Sequence, residues 1–174
     1  MKVTTDMIKE LRNMTSASIS DCKKALQESG GDMNKAISLL RKLGLELVSK
    51  REKQVAREGR IEAYVHFDNK IGVLLEVDCE TDFVSRNSEF CQFTKDLAMQ
   101  IAACNPLYIK REDVPAELLE NQSDKEEFYR QNCLLEQPFI KDPNQLVKDY
   151  FANIVAKFSE NIVIRRFVRY KIGE

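Results

Sequence analysis

The chain has 174 residues, of which 43% are hydrophobic and 32% charged, and its formal net charge is −1. This composition is typical of a globular protein with one medium domain, or with a small and a larger one. It argues against a membrane protein, since no apolar run approaches the ~20 residues of a membrane-spanning helix, and against a nucleic-acid partner, since neither half is strongly basic.

Residues 5–44 carry apolar side chains at helical spacing and predict three short helices. Ser18 and Asp32 are candidate N-caps of the second and third helices, and Gly44 ends the third. Such a module is purely structural, binds a partner through a helix face, or reads DNA as a helix-turn-helix. The second and third helices carry few of the Arg, Asn and Gln side chains that read bases, which argues against DNA.

Residues 45–58 are rich in charge and predict a solvated helix that runs into a linker, and Gly59 marks a boundary. We therefore predict two domains. Residues 1–55 form a partner-binding module with a charged linker helix, and residues 56–174 form an α+β core that also carries the dimer contact.

The core domain is predicted to contain a small antiparallel sheet covered by helices, which is the α+β fold class. Residues 60–67 and 71–78 alternate apolar and polar side chains around a turn at Asp68-Asn69, as in a hairpin. The later predicted elements are a helix at 88–104, a strand at 107–109, a helix at 116–132, a proline-containing loop, a helix at 146–158 and a strand at 162–172. A small sheet has uncovered edges, and an uncovered edge invites a second chain.

The stretch from Cys79 to Asn87 connects the second strand to the 88–104 helix, so it lies at a sharp bend of the chain. Loops held between rigid elements are where binding residues concentrate. Phe83 stands out there, because an aromatic side chain among polar neighbours is either a core plug or a projecting anchor. From the residues alone the plug is the commoner case, since large apolar side chains are usually buried.

The chain offers little for enzymatic chemistry. It has five cysteines without a C-x-x-C pair, and its one histidine, His66, lies mid-strand. Zinc sites usually need closely spaced ligand pairs, and no Gly-rich phosphate loop is present. We expect no metal, no cofactor and no enzymatic activity. Without an apolar signal region at the N-terminus, we expect a cytoplasmic protein with reduced thiols.

Four stretches of the chain together resemble one protein family, translation elongation factor Ts, in the family's order and over almost the whole length. They are RNMTSASISDCKKALQESGGDMNKAISLLRKLG (12–44), EVDCETDFVSRNSEF (76–90), LLEQPFIKDP (134–143) and SENIVIRRFVRY (159–170). The length is similar to that of the shorter members. Two positions depart from the family pattern: Thr15–Ser18 stands where the family usually has Thr-Gly-Ala-Gly, and Ser159 stands where it usually has Gly.

The resemblance implies a guanine-nucleotide exchange factor that binds the GTPase domain of elongation factor Tu, in both the GDP-bound and the nucleotide-free state. It also implies an N-terminal module similar to ubiquitin-associated domains, which touches the same GTPase domain, and a homodimer. The implied partner-binding residues are Thr81, Asp82, Phe83 and Val84, with Phe83 entering between helices near the partner's Mg²⁺. The alternative is a helical interaction module on an α+β scaffold without exchange activity.

Asp82 keeps two interpretations at this point. Its carboxylate either accepts hydrogen bonds from the N-terminus of the following helix or contacts the partner. For Phe83, the resemblance favours the projecting anchor over the core plug.

Overall fold

The computed structural model describes residues 3–15, 17–52, 54–120 and 122–174. The helices are α1 Thr5–Thr15, α2 Ile19–Glu28, α3 Met33–Arg51, α4 Asp82–Arg86, α5 Ser88–Cys104, α6 Ala116–Glu120, α7 Lys125–Asn132 and α8 Val147–Phe158. The strands are β1 Glu58–Val65, β2 Ile71–Cys79, β3 Pro138–Phe139, β4 Asp142–Leu146 and β5 Val163–Lys171. The predicted α+β fold class is confirmed. None of these helices combines the length and the apolar character that a membrane crossing needs.

Helices α1, α2 and α3 pack around a small hydrophobic core of their own. The core residues are Leu11, Cys22, Ala25, Leu26, Ala36 and Leu40. The predicted caps are confirmed: the Ser18 side chain accepts from the Asp21 amide at 3.1 Å, and Asp32 accepts from the Lys35 amide at 3.0 Å. Ser16, between α1 and α2 in the chain, lies outside the described residues.

Gly44 was predicted to end the third helix, but α3 continues to Arg51. The reason is tertiary packing, because α3 crosses α8 at this glycine. A Cβ on Gly44 would lie 3.2 Å from the Ala152 Cβ, so the small residue lets the two helices approach closely. The first half of the predicted linker segment is thus one continuous helix with the third helix of the first module.

The larger hydrophobic core lies between the main sheet and helices α5 and α8. The sheet has the strand order β1-β2-β5 and is antiparallel throughout. The predicted hairpin is confirmed, and Asn69 in its turn has a φ of +55°. Over the described residues, the helices cover one face of this sheet and leave side chains of the other exposed.

The opposite face of the sheet is open and apolar, and we call it the outer sheet face. Its exposed apolar residues are Ile61, Ala63, Val65, Leu74, Val168 and Tyr170, and the ion pair of Glu76 and Arg166 lies in the same row as Ile61. Ala63, Leu74 and Val168 lie in one row across the three strands. Exposed apolar surface that is continuous over several strands is unusual for a monomer.

Three predicted elements between residues 107 and 146 differ from the structure. The predicted strand at 107–109 forms only an isolated parallel bridge between Tyr108 and Cys133. The predicted helix at 116–132 is two helices, α6 and α7, because Asp124 caps a new N-terminus by accepting from the Glu127 amide at 3.0 Å. The proline-containing loop holds the small β3–β4 hairpin. A short apolar run does not show whether it will form a strand or an isolated bridge, because that depends on the segment with which it pairs.

Candidate partner-binding corner

The corner, residues 79–87, contains a short helix rather than a simple bend. Strand β2 ends at Cys79, helix α4 occupies Asp82–Arg86, and α5 begins at Ser88. Thr81 has extended backbone angles and its hydroxyl accepts from the Val84 amide at 3.5 Å, which makes it the N-cap of α4. Asn87 ends α4 and caps α5, because its side chain accepts from the Glu89 amide at 2.8 Å. The chain therefore leaves the sheet through two capped turns.

Phe83 projects from the corner into solvent, with 83% of its surface exposed. Its neighbour Val84 is 8% exposed and belongs to the larger core. Successive residues of an α-helix point about 100° apart, so burying Val84 turns Phe83 away from the core. The plug interpretation, favoured by the residues alone, is wrong for Phe83. The projecting orientation agrees with the one that the family resemblance favours.

Asp82 is not the cap of the following helix, because Thr81 fills that position and Asp82 is the first helical residue. Its carboxylate lies 3.5 Å from the Arg86 guanidinium, and both side chains are largely exposed. An exposed ion pair of this kind contributes at most about 1 kcal/mol, so Asp82 remains free to exchange partners. A direct contact of Asp82 with a partner stays a prediction.

Glu160 connects the corner to the far end of the chain. One of its carboxylate oxygens accepts from the Glu80 and Thr81 amides, each at 3.1 Å, and the other accepts from the Thr81 hydroxyl at 2.6 Å. In return, the Glu80 carboxylate accepts from the Asn161 amide at 2.5 Å. We call Glu80, Thr81, Glu160 and Asn161 the Glu160 clamp.

The sequence predictions missed the Glu160 clamp, since they gave Glu160 and Asn161 no role beyond their place in the stretch 159–170 that resembles the family. The available signal was a carboxylate and an amide placed together between an amphipathic helix and a strand. Asn161 is 5% exposed and its side-chain amide donates to the Gln54 carbonyl at 2.6 Å. Buried polar side chains need such partners, so both residues are built into the structure.

The corner contains one thiol, that of Cys79, and its surroundings favour the neutral form. Burial raises the pKa of the Cys79 thiol to about 11, and its Sγ donates to the Thr81 carbonyl at 3.2 Å. The thiol therefore stays protonated near pH 7 and is a poor nucleophile. Over the residues that the structure describes, no three His, Cys, Asp or Glu side chains meet in a way that could hold a metal ion.

Ser159, the residue before the Glu160 clamp, has the left-handed backbone angles φ +54° and ψ +29° at the end of α8. A non-glycine residue is strained by about 1–2 kcal/mol in this conformation. Glycine removes the strain, but it also makes the unfolded chain more flexible, which lowers the gain in stability by about 0.4–1 kcal/mol. We expect Ser159→Gly to raise the free energy of unfolding by about 0.5–1 kcal/mol, measured by urea denaturation.

Ser159→Ala is the matched control for this change. It keeps the left-handed strain and loses the hydrogen bond from the Ser159 hydroxyl to the Ala156 carbonyl at 3.3 Å, so it should not stabilise the protein. A glycine variant no more stable than the alanine variant would contradict the strain argument.

Comparison with known proteins gives consistent matches over the whole chain. The model of the family described as Elongation factor TS matches residues 1–127 and 124–174. The chain is 48% identical to Elongation factor Ts of Thermodesulfovibrio yellowstonii over 196 aligned positions, covering 100% of the chain and 98% of that protein. It is 46% identical to Elongation factor Ts of Carboxydothermus hydrogenoformans, covering 99% and 90%. It is 47% identical to Elongation factor Ts of Thermotoga petrophila, covering 100% and 98%.

Proposed function

Because the chain belongs to the elongation factor Ts family of translation factors, we propose that it is a guanine-nucleotide exchange factor for elongation factor Tu. The observation that carries the proposal is Phe83, an aromatic ring that is 83% exposed. Its backbone is held by Thr81, which is bonded to Glu160, and by Val84, which lies in the core. It acts as a binding protein and makes or breaks no covalent bond. Its proposed place of action is the cytoplasm.

An exchange factor works by binding one state of its partner better than another. It speeds GDP release only if it binds the nucleotide-free GTPase more tightly than the GDP-bound form. The coupling is reciprocal, so GDP weakens the binding of the factor as much as the factor weakens the binding of GDP. The proposed contacts must therefore be better in the nucleotide-free state.

An exposed phenylalanine can supply this difference. Burying the ring contributes roughly 1.5–3 kcal/mol, and the contribution is gained only when helices of the GTPase have parted to admit it. GTPases hold their nucleotide through backbone amides and Mg²⁺. In the proposed mechanism the parted arrangement displaces the Mg²⁺ ligands, and the nucleotide loses its strongest electrostatic contact.

The four predicted site residues have different proposed roles. Phe83 inserts into the partner, and Asp82, partly exposed beside it, makes the polar contact. Thr81 caps α4 and joins it to Glu160, while Val84 fixes α4 in the core. Holding the ring in place before binding reduces the entropy lost on association.

We propose that the N-terminal module, residues 1–55, is a second contact with the same GTPase domain. Met14 and Ile19 flank the turn between α1 and α2, and both are exposed apolar side chains.

An RNA partner is not proposed, because the basic residues of β5 are matched by acids. Arg165 lies 2.7 Å from Asp78, and Arg166 lies 2.5 Å from Glu76.

The direct test is the rate at which fluorescent GDP leaves elongation factor Tu with and without this protein. We expect a large, saturable acceleration, and free GDP in excess should reverse the binding. Binding without acceleration would instead support the alternative, a helical interaction module without exchange activity. Absence of both would exclude the proposed partner.

We propose that the protein forms a homodimer through the outer sheet face. The sequence pointed to the sheet edges, but this face carries exposed apolar side chains on all three strands, with Ala63, Leu74 and Val168 in one row across them. Two-fold symmetry lets one surface pair with its own copy. Two sheets packed face to face bury such side chains in a layer about 10 Å thick.

Leu74→Arg places a charge at the centre of the outer sheet face, where Leu74 is 50% exposed in the single chain. An unpaired charge buried in the dimer costs about 3–5 kcal/mol, so we expect the dimer dissociation constant to rise at least ~100-fold. Sedimentation equilibrium measures this. Leu118→Arg, a comparably exposed leucine on α6, is the control and should leave the dimer intact. A Leu74→Arg protein that is still dimeric would exclude this face.

A further inference from the structure

We propose that Glu160 is a positioning residue for nucleotide exchange, which it supports by holding the corner so that Phe83 points at the partner. This inference rests on the proposed exchange function. It concerns a residue that lies outside the corner and 79 positions from Thr81 along the chain.

The contacts of Glu160 are those of an anchor for the corner. Its carboxylate receives three hydrogen bonds, from the Glu80 amide, the Thr81 amide and the Thr81 hydroxyl. Both amides belong to residues between the end of β2 and the start of α4. Hydrogen bonds to an ionised carboxylate are roughly twice as strong as neutral ones. The start of α4 is therefore tied to the α8–β5 junction.

Helix α4 needs this support because it has five residues. So short a helix is not stable by itself, since nucleation costs more than one turn of hydrogen bonds returns. In this structure α4 is held on its inner side by Val84 and at its N-terminus by Thr81. Without Glu160, α4 keeps the burial of Val84 but loses the charged hydrogen bonds at its N-terminus, so the Phe83 ring is expected to sample more directions.

The Glu160 clamp also holds the segment that leads in from the N-terminal module. Asn161, the residue after Glu160, donates its side-chain amide to the Gln54 carbonyl, and its backbone amide donates to the Glu80 carboxylate. Glu80 also lies 4.0 Å from Arg51, the last residue of α3. The clamp therefore connects the corner to the end of α3 and to Gln54 just after it.

The expected size of the effect follows from the population of competent conformers. If removal of the carboxylate leaves about a tenth of the molecules with Phe83 correctly oriented, the apparent efficiency of exchange falls about tenfold. The loss acts through Phe83, so it should vanish when the ring is absent.

The experiment is a double-mutant cycle on the rate of fluorescent GDP release, with wild type, Glu160→Ala, Phe83→Ala and the double variant. We expect Glu160→Ala alone to lower the efficiency about tenfold. In the Phe83→Ala background the same change should lower it less than about twofold, because coupled residues are not additive. A full tenfold loss in that background, or no loss in the wild-type background, would overturn the proposal.

Glu160→Gln is the conservative variant, and it should retain most of the exchange activity. Its amide oxygen can still accept from the two backbone amides, and its NH₂ group can donate to the Thr81 hydroxyl oxygen. Activity as low as that of Glu160→Ala would contradict positioning by these hydrogen bonds. If Glu160→Ala does not fold, Thr81→Val tests the same coupling by removing the 2.6 Å hydrogen bond to Glu160, together with the acceptor of the Val84 amide.

Glu136→Ala is the matched control for stability. Glu136 is also a half-buried carboxylate with several partners, since it binds Arg111 at 2.8 Å and Lys148 at 3.1 Å. The Glu136→Ala variant should be less stable but should keep its exchange activity below the melting transition. If its exchange activity fell together with its stability, the effect of Glu160→Ala would be merely structural and the proposal would be overturned. A wild-type protein that does not accelerate GDP release would instead refute the proposed function itself.

Discussion

Phe83→Ala is expected to lower the efficiency of GDP release from elongation factor Tu by about 10- to 150-fold. The range is the rate equivalent of the roughly 1.5–3 kcal/mol gained by burying a phenylalanine side chain. The loss should fall on the nucleotide-free complex, because the ring is proposed to be buried only there. Stopped-flow release of fluorescent GDP measures the effect, and calorimetry of the nucleotide-free complex measures the matching loss of affinity.

The same change should leave the protein fold untouched, since the ring is 83% exposed in the single chain. Surface substitutions usually change the free energy of unfolding by no more than about 0.5 kcal/mol. Phe67→Ala is the control, because Phe67 is also a strongly exposed phenylalanine but follows β1 instead of β2. Normal exchange by Phe83→Ala, or an equal loss in Phe67→Ala, would contradict the proposed insertion.

Phe93→Ala is expected to have the opposite pattern, with a large loss of stability and little change in exchange per folded molecule. Phe93 is fully buried, and its ring centroid lies 5.4 Å from that of Tyr150 and 6.1 Å from that of Phe151. Removing such a ring from a core costs about 3–5 kcal/mol. That is a large share of the 5–15 kcal/mol typical of a domain, so partial unfolding near 37 °C is expected.

Urea denaturation at 10 °C should show this loss in the midpoint with an unchanged slope, which identifies a change in stability alone. Phe93→Leu serves as the milder control and should lose clearly less, because it leaves a smaller cavity. A loss below about 1 kcal/mol for Phe93→Ala would mean that the core closes over the site and that the aromatic cluster matters little.

The elements set by short-range patterns were predictable from the sequence. Period-2 alternation identified the β1–β2 hairpin, and Ser18 and Asp32 were recognised as caps because a cap bonds an amide three residues away. Asn69 marked the turn for the same local reason. In each case the interacting groups are neighbours along the chain, so spacing alone predicts the contact.

Predictions that depended on remote partners were wrong. Gly44 was expected to end a helix, but its small size serves the contact with Ala152, more than a hundred positions away. For Phe83, the residues alone favoured a core plug, whereas the family resemblance favoured a projecting anchor, and the burial of Val84 agrees with the anchor.

By itself, the sequence determined the fold class, the hairpin and the helix caps, since these follow from local periodicity and from side chains that bond nearby amides. Tertiary structure alone decided that Phe83 points outward, that one face of the sheet is open, and that Glu160 holds Thr81. Each of these depends on which surfaces meet after the chain has folded, and a contact between residues 79 positions apart leaves no periodic signal in one sequence.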